Sequence, residues 1–142
     1  MEAWELVARE DVRHTIARYA HLVDRGRLDE LVLLFTADGT LEAGDLPAVH
    51  GRDAIRAFLE STKGRLAARL PLPRIRHHVS SVLIETISPT VMGAYSYFFV
   101  VTERGPDHWG RYRDRLVLAD GDWLFEHRRV TTDGRAPGSW TR

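Results

Sequence analysis

The chain has 142 residues, 44% of them hydrophobic, and 20 basic residues balance 20 acidic ones. That length suffices for one ordinary domain with a real core, and zero net charge offers no general attraction for nucleic acid or an anionic membrane. The absence of cysteine excludes a disulfide framework, a thiolate nucleophile and any sulfur-ligated metal.

The first twenty residues, MEAWELVAREDVRHTIARYA, interleave charges with apolar positions, unlike the basic start and unbroken apolar run of a signal peptide. No stretch is long and apolar enough to span a bilayer, so a cytoplasmic protein is expected. From Asp11 to Val23, the residues Val12, Ile16, Tyr19, Ala20 and Val23 recur at helical spacing, which predicts an amphipathic helix. Gly26, just after Asp24 and Arg25, is its natural left-handed stop. Leu28, Leu31, Val32 and Phe35 repeat the period in a second, short helix ending before an Ala37-Asp38-Gly39 turn, and a brief strand is expected over Thr40 to Glu42. After a loop containing Pro47, HGRDAIRAFLESTKGRL reads as a third helix with Ile55, Phe58 and Leu59 inward, closed off by Pro71 and Pro73.

The second half changes period. Four runs rich in apolar, β-branched and aromatic residues, near 75–87, 91–103, 108–119 and 122–132, are separated by Ser88-Pro89, Gly105-Pro106 and Asp120-Gly121. This is an antiparallel meander. Helices first and strands after, without a βαβ rhythm, argue α+β: a curved sheet with helices on one face. One domain is expected over 1–133, with 134–142 (GRAPGSWTR) as a tail that has little to bury except Trp140. A sheet curling over helices leaves a cavity between the layers.

Three polar residues are candidates for that cavity. Asp24 stands at the end of the first helix, where the partial negative charge of the helix terminus disfavours a carboxylate. It either starts the turn and pairs with Arg25 or Arg27, or it has a partner in a pocket. His77 and His78 begin a strand, so their side chains take opposite faces. Either is satisfied structurally, or His77 enters the cavity with Val79 while His78 faces out. An Asp beside an imidazole fixes its tautomer and stabilises the cation formed on proton uptake, which makes a general base. Tyr19, on the buried helix face, is either a core aromatic or a donor to a substrate oxygen. Tyr95 and Tyr97 share one face of their strand, and His108 and Tyr112 one face of the next; with Phe35, Phe58 and Val79 they are expected to line the pocket. Arg111, Arg113 and Arg115 alternate on the other face, as in ion pairing or a subunit contact. No local His and carboxylate spacing reads as a metal site, and no metal or cofactor is expected.

The segments IARYAHLVDRGRLDELVLLFTADGTLE, HGRDAIRAFL, RHHVSSVLIE and GRYRDRLVLADGDWLFEHRRV, in that order, resemble the SnoaL-like branch of the nuclear-transport-factor-two-like superfamily. The resemblance runs from about residue 8 to 131. It implies a cone-shaped α+β barrel of cystatin-like topology, with a mainly antiparallel sheet around the N-terminal helices, a deep apolar pocket, and a homodimer or homotrimer. Scytalone dehydratase, hexachlorocyclohexane dehydrochlorinase and bile-acid dehydratase pair an Asp at the end of the first helix with a His starting the long strand. These fall on Asp24 and His77, and the bile-acid enzyme has a Tyr at the spacing of Tyr19. The resemblance thus implies a cofactor-independent dehydratase or isomerase for a hydrophobic, oxygenated cyclic molecule of polyketide, steroid or terpenoid type. The alternative is a non-catalytic binding or oligomerisation module of the same fold. Val23 stands where scytalone dehydratase has a second Tyr, and that enzyme's further pocket His aligns only loosely with the region of Asp107 and His108.

Overall fold

The computed structural model describes residues 1–69 and 74–141. Helix α1 (Ala3–Arg25) begins earlier than periodicity predicts and ends on Gly26, whose φ of 67° lets its N–H cap the carbonyls of Leu22 and Val23. Helix α2 (Leu28–Leu31) runs into a short 3₁₀ turn at Val32–Leu34, then strand β1 (Phe35–Ala43), the two-residue strand β2 (Val49–His50) and helix α3 (Arg52–Arg69). Pro71 and Pro73, expected to close α3, lie outside the described residues. The long strands β3 (Arg76–Ser88), β4 (Val91–Thr102), β5 (Gly105–Ala119) and β6 (Asp122–Arg135) complete the chain.

The α+β class holds, and the strands form one curved mixed sheet in the order β2-β1-β6-β5-β4-β3. The sheet is open, with β2 and β3 at its edges, rather than closed into a barrel. All neighbours are antiparallel except β1 with β6, which run parallel, with β2 to β5 and helix α3 making the long connection that a parallel pair needs. The expected Ala37-Asp38-Gly39 turn is instead a bulge inside β1: Phe35 faces Phe125 and Thr40 faces His127, so the residues between are pushed out of register. Gly39 fits there because a β-carbon would crowd the Phe125 carbonyl at 3.1 Å. The expected Gly105-Pro106 turn also shifts, since β5 already starts at Gly105. Asp120 and Gly121 both take positive φ, the signature of a tight hairpin turn.

Helix α1 crosses the sheet with Val12, Ile16 and Tyr19 buried against it. Polar bonds fix its position: Arg9 donates to the carbonyl of Ile84 (2.8 Å), and Thr15 Oγ1 donates to that of Trp123 (2.7 Å). The start of α3 is tied to β1 by Arg52, which donates twice to the Phe35 carbonyl. The core falls into two clusters, one around Phe35, Ile55, Leu116 and Phe125, the other around Leu66, Ile75, Phe98 and Trp140. No helix among the described residues is long and apolar enough to cross a membrane.

Candidate active site

Both clusters contribute to the wall of one cavity of about 830 Å³, bounded by the end of α1, the inner face of α3, the sheet and the C-terminal segment. Asp24 reaches it because it sits one turn beyond Ala20 on the buried side of α1. His77 reaches it as the second residue of β3, on the inward phase of the strand. Asp24 Oδ1 lies 2.6 Å from His77 Nδ1, and the same carboxylate accepts the His77 backbone N–H at 3.0 and 3.2 Å. Their side chains are 11% and 12% exposed. A carboxylate only accepts, so Nδ1 carries the proton in this bond and Nε2, with no protein partner among the described residues, is left as the free ring nitrogen. His78 is exposed on the other face.

Tyr19 lines the cavity with its ring edge-on to Phe35, Tyr112 and Phe125. Burial pushes its phenol pKa up, against the opposing pull of Arg128, so the hydroxyl is neutral and can donate. Tyr112 is also a cavity residue, and burial raises its pKa as well. Phe58 contributes an apolar wall from α3.

His108 belongs to a second acid and imidazole pair. Val100 faces His108 while Val101 faces Pro106, so Asp107 is an extra residue bulging from β5. The bulge breaks the alternation and turns Asp107 and His108 to the same buried side, with Asp107 Oδ2 2.7 Å from His108 Nδ1. Burial lowers the His108 pKa against the pull of Asp107, and charge on His77 or Arg135 acts in the direction of burial. His108 is therefore a neutral imidazole at neutral pH.

Four expected pocket residues stand elsewhere. Tyr95 and Tyr97 are on the outer face, exposed at 38% and 57%, because β4 turns Met92, Ala94, Ser96 and Phe98 inward. Their direct cross-strand partners, Arg113 and Arg111, share that outer face. Phe35 is fully buried in the core against Phe125, and Val79 packs between the two clusters.

Sequence reading missed a buried ion pair beneath the cavity floor. Arg128 Nε and Nη2 donate to the two oxygens of Asp114 at 2.8 and 3.0 Å, with both side chains fully buried. The guanidinium lies 3.7 Å from the Tyr112 ring centroid and 4.2 Å from that of Tyr19. Burial opposes its charge, but Asp114 outweighs burial and keeps Arg128 cationic. The C-terminal segment is anchored through Trp140, the one residue of the tail with much to bury: Ser139 Oγ donates to Asp107 Oδ2 at 2.8 Å, and Trp140 is buried edge-to-face with His108. Among the described residues, no three His, Asp or Glu side chains gather as a metal site.

The model of the SnoaL-like domain family matches residues 4–129. Among curated proteins none matches the chain. Among solved structures, a candidate scytalone dehydratase from Novosphingobium aromaticivorans is 25% identical with a TM-score of 0.83, over 96% of this chain and 91% of that one. ActVI-ORFA from Streptomyces coelicolor is 26% identical with a TM-score of 0.78, over 89% of this chain and 98% of its own. A Nostoc punctiforme protein of unknown function with a cystatin-like fold, 19% identical with a TM-score of 0.79 over 91% of this chain and 93% of that one, shares the fold alone.

Proposed function

The chain belongs to the SnoaL-like family, and on that premise we propose that it is a cofactor-independent lyase of the dehydratase type, with isomerisation as the variant of the same chemistry. The family includes dehydratases and polyketide cyclases. The observation that carries the reading is the 2.6 Å contact of Asp24 with His77 in the wall of a largely apolar cavity. The substrate that fits is a hydrophobic, oxygenated cyclic molecule of the polyketide, steroid or terpenoid kind.

In this mechanism His77 Nε2 takes the proton from a carbon next to a carbonyl. Asp24 holds the ring through Nδ1–H and stabilises the imidazolium. The electron pair released from the C–H bond forms the double bond as the β-hydroxyl departs. That hydroxyl takes the proton back from the imidazolium and leaves as water, which restores neutral His77. Tyr19 donates a hydrogen bond to the oxygen on which charge develops. Returning the proton to a different carbon, without loss of water, gives isomerisation.

A panel of β-hydroxy carbonyl compounds incubated in D₂O tests the reading. Elimination or solvent-deuterium uptake is expected, with a loss on the order of 10²–10⁴ in rate for His77→Asn or Asp24→Asn. Absence of both reactions in the wild-type protein, or an Asp24→Asn variant as fast as wild type, overturns it. The binding-only alternative leaves a ligand unchanged, so native mass spectrometry separates the two: an intact ligand supports binding and a dehydrated product supports the enzyme.

We also propose a homodimer or homotrimer assembled through the outer sheet face. Leu83, Tyr95, Tyr97, Phe99 and Trp109 are exposed there, and the strand register places Leu83 opposite Tyr95 and Phe99 opposite Trp109. Sedimentation equilibrium is expected to give a dimer or trimer mass, and a monomer at high concentration rules this out.

A further inference from the structure

Asp107 is bonded on more sides than holding one imidazole requires. Its Oδ2 faces His108 Nδ1 at 2.7 Å and accepts from Ser139 Oγ at 2.8 Å, its Oδ1 accepts the Trp140 backbone N–H at 3.4 Å, and its own carbonyl accepts the Ala136 N–H at 2.8 Å. The C-terminal segment beyond β6 is fastened at other points too. Arg69 at the end of α3 donates to the Ser139 carbonyl, and Arg135 Nε donates to Thr141 Oγ1. Trp140 and Thr141 of that segment, with His108, are part of the cavity wall.

We propose that Asp107 is a positioning residue: by holding Nδ1–H of His108 it makes Nε2 an acceptor for a hydroxyl group of the ligand, and by the same carboxylate it docks residues 136–141 as one wall of the site. A carboxylate has no proton to give, so Nδ1 must be the donor, and the neutral ring then presents an unprotonated Nε2. Nε2 has no protein hydrogen bond among the described residues. The low pKa that burial gives His108 preserves this acceptor at neutral pH. The wall therefore favours an apolar molecule bearing a hydroxyl over the same molecule with the hydroxyl capped, because a ligand without a donor leaves Nε2 unpaired. Asp107 acts through His108, and Ser139 acts through Asp107. The inference rests on the cavity being a small-molecule site, as in the proposed function, and not on proton transfer by His77.

Calorimetric titration of the full chain with 2-naphthol and with 2-methoxynaphthalene tests the selection, and ¹⁵N NMR of the histidine rings tests the tautomer. Wild type is expected to bind 2-naphthol about five- to tenfold more tightly than its methyl ether, and to show His108 as the Nδ1–H tautomer. In Asp107→Asn the preference shrinks to about twofold or less and the Nε2–H tautomer appears. Ser139→Ala, which keeps the carboxylate, gives an intermediate preference and serves should Asp107→Asn fold poorly. Equal wild-type affinity for the two probes, no binding of either, an Nε2–H tautomer in wild type, or a preference unchanged in both variants overturns the inference. Equal wild-type affinity for the two probes with deuterium uptake intact would overturn this inference alone, whereas a wild-type preference without turnover of any substrate would remove the dehydratase reading and leave this one standing.

Discussion

Two carboxylates, one beneath the cavity floor and one in the cavity wall, hold their basic partners in opposite ways. Asp114 grips Arg128 with two hydrogen bonds in complete burial, beneath the rings of Tyr19, Tyr112 and Phe125. Asp24 grips His77 through one ring nitrogen, at the cavity wall, with about a tenth of each side chain still accessible. Arginine cannot give up its charge at any ordinary pH, so the first pair is a permanent dipole under the floor and supports the aromatic layer above it. The imidazole of the second pair has no protein partner among the described residues at its other ring nitrogen. What separates the two pairs is full enclosure of the guanidinium against a ring nitrogen left accessible in the cavity wall, rather than the strength of the contact.

The largest expected effect comes from breaking the buried pair. Arg128→Met leaves Asp114 without its partner in a dry site and is expected to cost about 3–5 kcal/mol in urea denaturation. Arg128→Met combined with Asp114→Leu removes both charges and is expected to recover most of that loss. A single replacement costing less than about 1 kcal/mol would mean that water reaches Asp114 and that the contrast with the cavity pair is false.

At the cavity, Asp24→Asn is expected to cost only about 1 kcal/mol of stability. The amide oxygen can still accept the His77 backbone N–H that ties the end of α1 to the start of β3. A loss as large as that of Arg128→Met would show that Asp24 is chiefly an anchor for the edge strand and would sharpen the comparison in the opposite direction.

What the sequence displayed followed the regularity of each element. The stripe of α1 and the inward phase of β3 were readable, and they place Asp24 and His77 at one end of the molecule because helix and strand periods hold up to those residues. Reading failed where a strand loses its period. The bulge at Asp107 sets two adjacent side chains on one face, which alternation forbids, so the second acid and imidazole pair was invisible as a pair. Another register shift, between His127 and Phe125 opposite Arg115 and Leu116, turns Arg128 inward among aromatic residues; an arginine in EHRRV otherwise reads as solvated. Tyr95 and Tyr97 share one face of β4, as expected from the strand period, but it is the outer face. In β4 the buried face is carried by smaller side chains, Ala94 and Ser96, together with Met92 and Phe98.

The smallest effect concerns how pH acts on the two kinds of pair. Arg128 keeps its charge as pH crosses neutrality, while burial raises the Asp114 pKa against the pull of Arg128. His108 contributes a pH dependence of its own. Its folded-state pKa lies below the ordinary histidine value, chiefly through burial and against the pull of Asp107, with His77 and Arg135 the other charged or chargeable groups that bear on it. As pH falls through about 6.5, the unfolded chain takes up a proton that the folded protein declines. Stability therefore falls from about that pH down to the folded pKa and is level below it, as far as this group is concerned. His108→Gln removes the difference, so its stability curve between pH 7 and 5 should be shallower than that of wild type by no more than about 1.4 kcal/mol per pH unit. Parallel curves from urea denaturation across that range would mean that Asp107 cancels burial in full and that His108 takes a proton as readily folded as unfolded. Asp107 and His108 would then form a pair that changes charge within the fold, and the Nε2 acceptor of His108 would be lost as the ring takes its proton.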